Sequence, residues 1–273
     1  RPRADLDAVQ RELRATPGVT VLVYDQVCAT EQRRRRQRGA APQPARRLFI
    51  NELVCDGCGD CAAKSNCLSV VPVPTEFGTK RAIDQFSCNL DFACLAGCCP
   101  AIVSVEGGTL RRPQVVPPGD VLPEPVLPSL DRPWGLLVAG VGGTGVVTVG
   151  ALLGMAAHLE GHGVTVLDMT GLSQKAGAVT SHVRIARHAG ELHAARIAAG
   201  QADALLGCDL VVAAGVDTRP TLRRGRTRAL ANTAQVITGE FVRHPQQAFP
   251  LPALQQSLRD AVGADAVEFV DAT

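Results

Sequence analysis

The sequence predicts an α/β protein in which a small cysteine-rich segment precedes a Rossmann-like, doubly wound domain. Three observations carry that reading. From Trp134 onward, short apolar runs alternate with stretches of helical period, the pattern of a sheet covered by helices. A glycine loop, Gly140 to Gly145, lies between the first of those runs and the first helix. Eight of the ten cysteines fall between Cys55 and Cys99.

The 273 residues suggest about two domains. Residues 1–45 open with a helix over Ala4 to Ala15, with Leu6, Val9 and Leu13 on one face. Pro17-Gly18 breaks it, and Val19 to Tyr24 reads as a buried strand closed by Asp25. That unit looks like the tail of an α/β sheet whose earlier strands lie elsewhere, and the start at Arg1 suggests a piece of a longer protein. Arg33 to Arg36 form a basic run, read as a solvated face or tail, with a docking patch for phosphate or an acidic partner as the sharper reading.

Residues 46–112 hold the cysteines. Residues 113–133 carry seven prolines and read as a stiff linker. Residues 134–273 form the α/β domain. Its strands are expected at Leu136 to Ala139, Val164 to Leu167, Val179 to Ala186, Leu210 to Ala214 and Ala234 to Ile237, in a mostly parallel core. The first helix is expected from Thr144 to Leu159.

Composition narrows the function classes. Aromatic residues make up 3% of the chain, too few for base-stacking platforms, so no nucleic-acid partner is expected. A net charge of +2 says little about partners. No apolar run is long enough to span a bilayer and no signal core stands near Arg1, so the expectation is a cytoplasmic protein without a membrane partner. In that compartment clustered cysteines bind metal more often than they form disulfides.

The spacing points to iron–sulfur. Cys55-x2-Cys58-x2-Cys61 followed by Cys67 approximates the C-x2-C-x2-C-x3-C run of bacterial ferredoxins, in which the fourth cysteine ligates the other cluster. Gly57 and Gly59 permit the tight turn this requires. In the second run, Cys88, Cys94, Cys98 and Cys99 are followed by Pro100, and Asp91 occupies the place of the middle cysteine. The expected ligands of one [4Fe–4S] cluster are Cys55, Cys58, Cys61 and Cys99. A second would take Cys67, Cys88, Asp91 and Cys94. Because a carboxylate is a harder ligand than a thiolate, that second cluster could be labile, a [3Fe–4S] form, or missing. Two choices stay open: Asp91 as ligand or solvated turn residue, and Cys99, preferred for its following proline, or Cys98. Zinc is the competing metal, but its four-cysteine sites pair C-x2-C with a distant C-x2-C. Lys64, Lys80 and Arg81 would raise a cluster's potential or steer an acidic partner, unless they are plain surface charges.

Gly140-Val141-Gly142-Gly143-Thr144-Gly145 satisfies G-x-G-x-x-G, and a helix N-terminus behind it suits a phosphate. Asp168 stands where a ribose-binding acid is expected, which makes a nicotinamide- or flavin-dependent reductase the alternative enzyme. The bland reading is that the glycines serve helix–strand packing. The loop Gly171 to Gly177 offers Ser173, Gln174 and Lys175 as polar candidates. His182 is more simply a surface or satisfied core histidine. No motif for chemistry on carbon is present, so no catalytic residue is assigned.

Together these residues resemble the indolepyruvate:ferredoxin oxidoreductase family, within the 2-oxoacid:ferredoxin oxidoreductases. The resemblance rests on Val19 to Asp25 with Arg33 to Arg36, Cys55-Asp-Gly-Cys-Gly-Asp-Cys61 with Lys64-Ser-Asn-Cys67, and Thr75-Glu-Phe-Gly78 with Cys88-Asn89. It continues through Gly140 to Val146 and Gly171-Leu-Ser-Gln-Lys-Ala-Gly177 with Ser181-His182. It implies the end of a thiamine-diphosphate domain (1–45), a ferredoxin-like segment (46–112) and all or part of a gamma-type domain (134–273). It further implies oxidative decarboxylation of aryl 2-oxoacids to acyl-coenzyme A, with electrons passing through iron–sulfur clusters to ferredoxin. Thiamine diphosphate and coenzyme A would belong to the complete enzyme, a homo-oligomer. The missing thiamine-diphosphate domains would be needed in cis or in trans, so the chain alone should be inactive. A third, non-enzymatic reading is a zinc-stapled docking module.

Overall fold

The computed structural model describes residues 1–108, 124–171, 177–237, 244 and 248–272. The chain opens with helix α1 (Leu6–Ala15), none of whose side chains is buried. The strand expected at Val19 to Tyr24 is not formed. Its apolar side chains are exposed, and no strand among the described residues pairs with it. An apolar run becomes a strand only where a neighbour accepts its hydrogen bonds, and none of the described strands does so here. Helix α2 (Ala29–Gln37) contains the basic run. Two of its arginines are not solvated: Arg33 Nη1 donates to the Ser87 carbonyl (2.7 Å) and Arg36 Nη1 to that of Asn89 (2.8 Å).

The cysteine-rich segment is built on two small antiparallel sheets. One pairs β1 (Arg46–Ile50) with β4 (Ile102–Glu106), and the other is the hairpin of β2 (Val70–Thr75) and β3 (Gly78–Ile83). A short helix, α3 (Asp60–Ser65), lies between them in sequence. Leu48, Ile50, Ala62, Val70, Ile83 and Ala101 form a small core against which the cysteines pack. The linker prolines from 113 to 123 lie outside the described residues. Residues 124–130 form no regular structure and expose Val126 and Leu127.

The second half is one six-stranded sheet with helices on both faces. Its strands are β5 (Trp134–Val141), β6 (Gly163–Thr170), β7 (Ala178–Ala186), β8 (Ala204–Gly207), β9 (Arg228–Asn232) and β10 (Val267–Val270), in the order β10-β9-β8-β5-β7-β6. Its α/β class is the one the sequence predicts. β7 runs antiparallel to both neighbours and the other pairings are parallel. The connection from Thr170 to Ala178 explains this: seven residues allow an antiparallel return, whereas a parallel crossover needs a dozen or more.

Side chains alternate across β5. Leu137, Ala139 and Val141 join Leu205, Ala229 and Ala231 beneath α5 (Leu210–Ala213) and α6 (Leu251–Val262). On the other face α4 (Val146–Leu159) packs over β6 and β7. It comes close because Gly150 and Gly154 carry no side chain. A Cβ at Gly150 would lie 2.1 Å from Ser181 Oγ, and one at Gly154 would lie 2.5 Å from Val166 Cγ2.

Two expected strands are corrected. Leu210 to Ala213 is a helix, capped by Asp209, whose carboxylate accepts from the Val212 amide. The strand lies just before it, at Ala204–Gly207. Two short apolar runs, Ala204 to Leu206 and Leu210 to Ala214, flank Gly207-Cys208-Asp209, and apolar runs this short do not distinguish strand from helix by periodicity. Ala234 to Ile237 has no regular structure; the strand precedes it, at Arg228–Asn232. Among the described residues, no helix is long and apolar enough to cross a membrane.

Candidate metal centre and glycine loop

All ten cysteines are free thiols. The first run enters from β1, where the Asn51 carbonyl accepts from Cys55 N–H (2.9 Å). It then turns through Gly57 and Gly59, both at positive φ as the sequence required. Gly57 meets a second constraint. A Cβ there would sit 2.3 Å from the Thr79 carbonyl oxygen, so the loop lies flat on β3. The Asp56 carboxylate receives the Cys58 amide at 3.1 Å, fixing the turn. Cys61 is buried at the start of α3. Burial raises its thiol pKa. The Ala62 amide draws it back, Cys99 and Cys55 raise it further, and Arg81 lowers it. Cys55, Cys61 and Cys99 thus share one electrostatic neighbourhood. Cys58 and Cys98 are exposed, and both act on Lys64, which is paired with Asp60 at 2.7 Å.

The second group gathers Cys67, Cys88 and Cys94. Burial pushes the Cys94 thiol up to about 11, with Cys67, Cys88 and then Asp91 adding to the rise. Burial also raises Cys88; the Leu90 amide, 3.4 Å from its sulfur, opposes that, Cys67 and Asp91 add to it, and Arg47 opposes it. Leu90 and Phe92 both adopt left-handed backbone, at φ 55° and 58°. That conformation is uncommon for such residues and wraps the chain tightly around Asp91. Asp91 serves the turn itself, its carboxylate accepting the Ala93 amide at 3.1 Å.

Among the described residues, no three His, Cys, Asp or Glu side chains converge on a point that could hold a single metal ion. The charges around the cysteines were only partly legible. Arg81 is 2% exposed, so it is no surface charge. Lys80 reaches back to the Glu52 carbonyl (2.5 Å), bracing the approach to Cys55. Arg47, beside Cys88, was not anticipated, and no local motif announces it.

In the glycine loop each glycine has its own reason. A Cβ at Gly140 would strike Thr144 Oγ1, Cys208 Cβ and Val146 Cγ2, all within 3 Å, so this position serves packing. Gly143 and Gly145 are at φ 103° and 92°, and Gly145 caps α4. Thr144 Oγ1 donates to the Val141 carbonyl at 2.7 Å. Gly142 N–H donates to Gly177 O (2.8 Å), joining this loop to the end of the Gly171–Gly177 segment. Ser173, Gln174 and Lys175 lie outside the described residues. His182 is buried, and its Nδ1 accepts the Ile197 amide at 3.2 Å: a satisfied core histidine.

The residue sequence reasoning missed is Asp209. Fully buried, it accepts Val141 N–H at 2.5 Å through one oxygen and Val212 N–H at 3.0 Å through the other. Burial pushes its carboxyl up, and those amides oppose the rise. It ties the glycine loop to α5. The signal that could have found it is an Asp three residues before a helical amide, the N-cap pattern. Asp168 fares differently. The antiparallel β7 separates its strand from β5, so it does not stand on the adjacent strand where a ribose-binding acid belongs. The dinucleotide reading loses its acid.

From central β5 the chain turns first toward β6 and β7, then crosses to β8, β9 and β10. The glycine loop therefore lies at the carboxyl end of β5, at the topological switch point where open α/β sheets bind ligands. An open α/β domain with a glycine loop at its switch point, joined here to a cysteine-rich module, is the class this defines. The family model described as "Pyruvate ferredoxin/flavodoxin oxidoreductase" matches residues 135–271, half of the chain, and the chain belongs to that family.

Curated relatives agree. Indolepyruvate oxidoreductase subunit IorB of Methanothermobacter thermautotrophicus is 26% identical over 131 residues, covering 48% of this chain and 63% of the relative. The protein of the same name from Thermococcus kodakarensis is 34% identical over 82 residues, 30% of this chain and 39% of that one. The chain thus spans less than two thirds of the relatives it matches. Among solved structures, pyruvate oxidoreductase subunit PORC of Thermotoga maritima aligns with TM-score 0.35 and 19% identity over 52% of this chain and 64% of that one. The keto/oxoacid ferredoxin oxidoreductase gamma subunit of Geobacter sulfurreducens aligns with TM-score 0.28 and 23% identity, over 36% and 50%.

Proposed function

We propose that this chain is the electron-relay and gamma-type portion of an indolepyruvate-type 2-oxoacid:ferredoxin oxidoreductase. The observation that carries the proposal is the packing of Cys55, Cys61, Cys67, Cys88, Cys94 and Cys99 around one small core in the same chain as a domain of this family. Cys55, Cys58, Cys61 and Cys99 would hold one [4Fe–4S] cluster. Cys67, Cys88 and Cys94, with Asp91, would hold a second of [4Fe–4S] or [3Fe–4S] type. Bound there, the clusters would take up and release single electrons.

The protein's own contribution is environment. Burial at Cys61, Cys88 and Cys94 excludes water and favours the protonated thiol until metal replaces the proton. Arg81 and Arg47 add positive charge beside the two sets, and the Leu90 amide points at Cys88 sulfur. The glycine loop presents backbone N–H groups at the switch point. It would hold a phosphate of coenzyme A or pack against the thiamine-diphosphate domains, which this reading places in cis or in trans. The acceptor would be ferredoxin, the compartment the cytoplasm and the donor an aryl 2-oxoacid.

The test is anaerobic reconstitution of the chain with iron and sulfide. The proposal expects up to two clusters' worth of iron, matching acid-labile sulfide, and a low-temperature paramagnetic signal after dithionite. A colourless preparation that retains zinc instead would overturn it. Joined to its thiamine-diphosphate domains, the protein should reduce ferredoxin with indolepyruvate and coenzyme A.

A further inference from the structure

We propose that Arg36, on helix α2, is a positioning residue for the second thiol set: it holds the Asn89–Leu90 peptide turned so that its N–H meets the Cys88 sulfur. The proposal rests on the reading of Cys88 as a cluster ligand.

The two contacts share one peptide unit. Arg36 Nη1 donates to the Asn89 carbonyl oxygen at 2.8 Å, and the N–H of that same peptide, which is Leu90's, lies 3.4 Å from Cys88 Sγ. A guanidinium on the oxygen polarises the amide and strengthens the bond that its N–H donates. The same peptide is where the turn is strained. Leu90 sits at φ 55°, a left-handed conformation that a leucine keeps only where its surroundings enforce it. Rotating this one peptide would return Leu90 to negative φ and turn its N–H away from the sulfur. Arg36 at the oxygen and Cys88 at the hydrogen oppose that rotation. Arg33 braces the peptide on the other side of Cys88. Its Nη1 donates to the Ser87 carbonyl at 2.7 Å, and the N–H of that peptide, Cys88's own, donates to the Asp84 carbonyl at 3.1 Å.

Helix α2 has little else to hold it there. It is nine residues long, too short to be stable alone, and buries no residue fully. Among the described residues its side chains make two hydrogen bonds to the rest of the chain, those of Arg33 and Arg36. Spaced three apart, these two share one helix face. Arg34 is exposed, and Arg35 pairs within the helix with Glu31 at 3.2 Å. Arg36 Nε is buried with no hydrogen-bond partner among the described residues, a cost that a solvated arginine avoids. The basic run is thus divided: Arg33 and Arg36 grip the Cys88 turn, while Arg34 and Arg35 face away from it.

Hydrogen bonds to sulfur and nearby positive charge favour the reduced, more negative form of a cluster. In a paramagnetic-resonance titration of the anaerobically reconstituted chain, Arg36→Gln should lower one of two midpoint potentials. The expected size is about tenfold in the reduced-to-oxidised ratio, or about 59 mV for one electron. Arg34→Gln removes the same charge from the same helix and should move neither potential. In the iron-free chain, Arg36→Gln should speed hydrogen exchange across residues 88–92 at least tenfold, and Arg34→Gln should not. If Arg36→Gln fails to fold, Arg36→Lys, with its shorter reach, is read by the same two measurements. Iron content that is unchanged in Cys88→Ala would overturn the underlying ligand reading and this inference with it. Clusters whose potentials ignore Arg36→Gln, or follow Arg34→Gln equally, would overturn this inference alone.

Discussion

Replacing Asp203 with Asn should destabilise the sheet by about 2–4 kcal/mol at neutral pH, and the loss should shrink in acid. Asp203 is 7% exposed at the entrance to β8. Arg132 grips it as a fork at 2.6 and 3.1 Å, Arg226 donates at 3.0 and 3.3 Å, and the Gly135 amide at 2.9 Å. Burial works against its charge, but the hydrogen bonds from Arg132, Arg226 and Gly135 outweigh burial, so its carboxyl sits below the ordinary aspartate range. Breaking a buried pair costs about 3–5 kcal/mol, and the figure is reduced here because the Arg132 side chain is 55% exposed and can turn to water.

The sign follows from the lowered pKa. The stabilisation is complete above the unfolded value of about 3.9 and is lost as pH falls through the folded value. Trp134, the single tryptophan, begins β5 beside Gly135 and reports the unfolding directly. Urea melts followed by its emission at pH 7 and pH 3 should show a gap between wild type and variant at the first that is smaller at the second. An equal gap at both pH values would refute the electrostatic reasoning, and no gap at pH 7 would refute the contact.

Three other outcomes are expected. Cys99→Ala should abolish the first cluster, seen as loss of half the iron and sulfide, whereas Cys98→Ala should leave the content unchanged; the reverse result would reassign the fourth ligand. Arg81→Gln should lower the midpoint potential of the first cluster by on the order of tens of millivolts in a paramagnetic-resonance titration, because a buried positive charge favours the more reduced, more negative cluster. Asp209→Ala removes the acceptor of two buried amides and should cost about 2–4 kcal/mol in urea while exposing Val141 N–H to hydrogen exchange.

The two halves of the chain were legible for different reasons. In the second half, β5, β6 and β7 and the start of α4 were found within two residues or so, because each is bounded by glycine or by a charged residue that ends the apolar run. Between Ala204 and Ala214 the only punctuation is Gly207 and Asp209, and strand and helix are told apart there by reading Asp209 as an N-cap, which its bonds to Val212 and to Val141 on another strand confirm. In the first half the turn at Gly57 and Gly59 could be read from spacing, since three cysteines two residues apart require it. The placing of Arg81 and Arg47 beside the thiols could not, because a β-strand arginine looks alike in sequence whether it faces water or sulfur. Val19 to Tyr24 failed for the converse reason: its apolar pattern is genuine, but a strand exists only in the company of another strand.

The same logic explains why Asp168 misled. Counting along the chain places it at the end of the second strand after a glycine loop, where a dinucleotide-binding domain keeps its acid. Position in sequence equals position in space only if the second strand lies beside the first. Here the seven-residue return from Thr170 inserts β7 between them, so the strand carrying Asp168 is moved to the sheet edge, about 10 Å from β5 at ordinary strand spacing. On the β7 side the loop bonds, among the described residues, only to backbone, the Gly177 carbonyl, whereas from the other side of β5 come Cys208, whose amide donates to the Ala139 carbonyl at 2.7 Å, and Asp209. A glycine loop whose neighbouring acid, Asp209, is buried and bonded to the Val141 and Val212 amides discriminates nothing about a ribose. Asp209 instead fixes where β5 ends and the loop begins, because the Val141 amide it holds is the last of that strand.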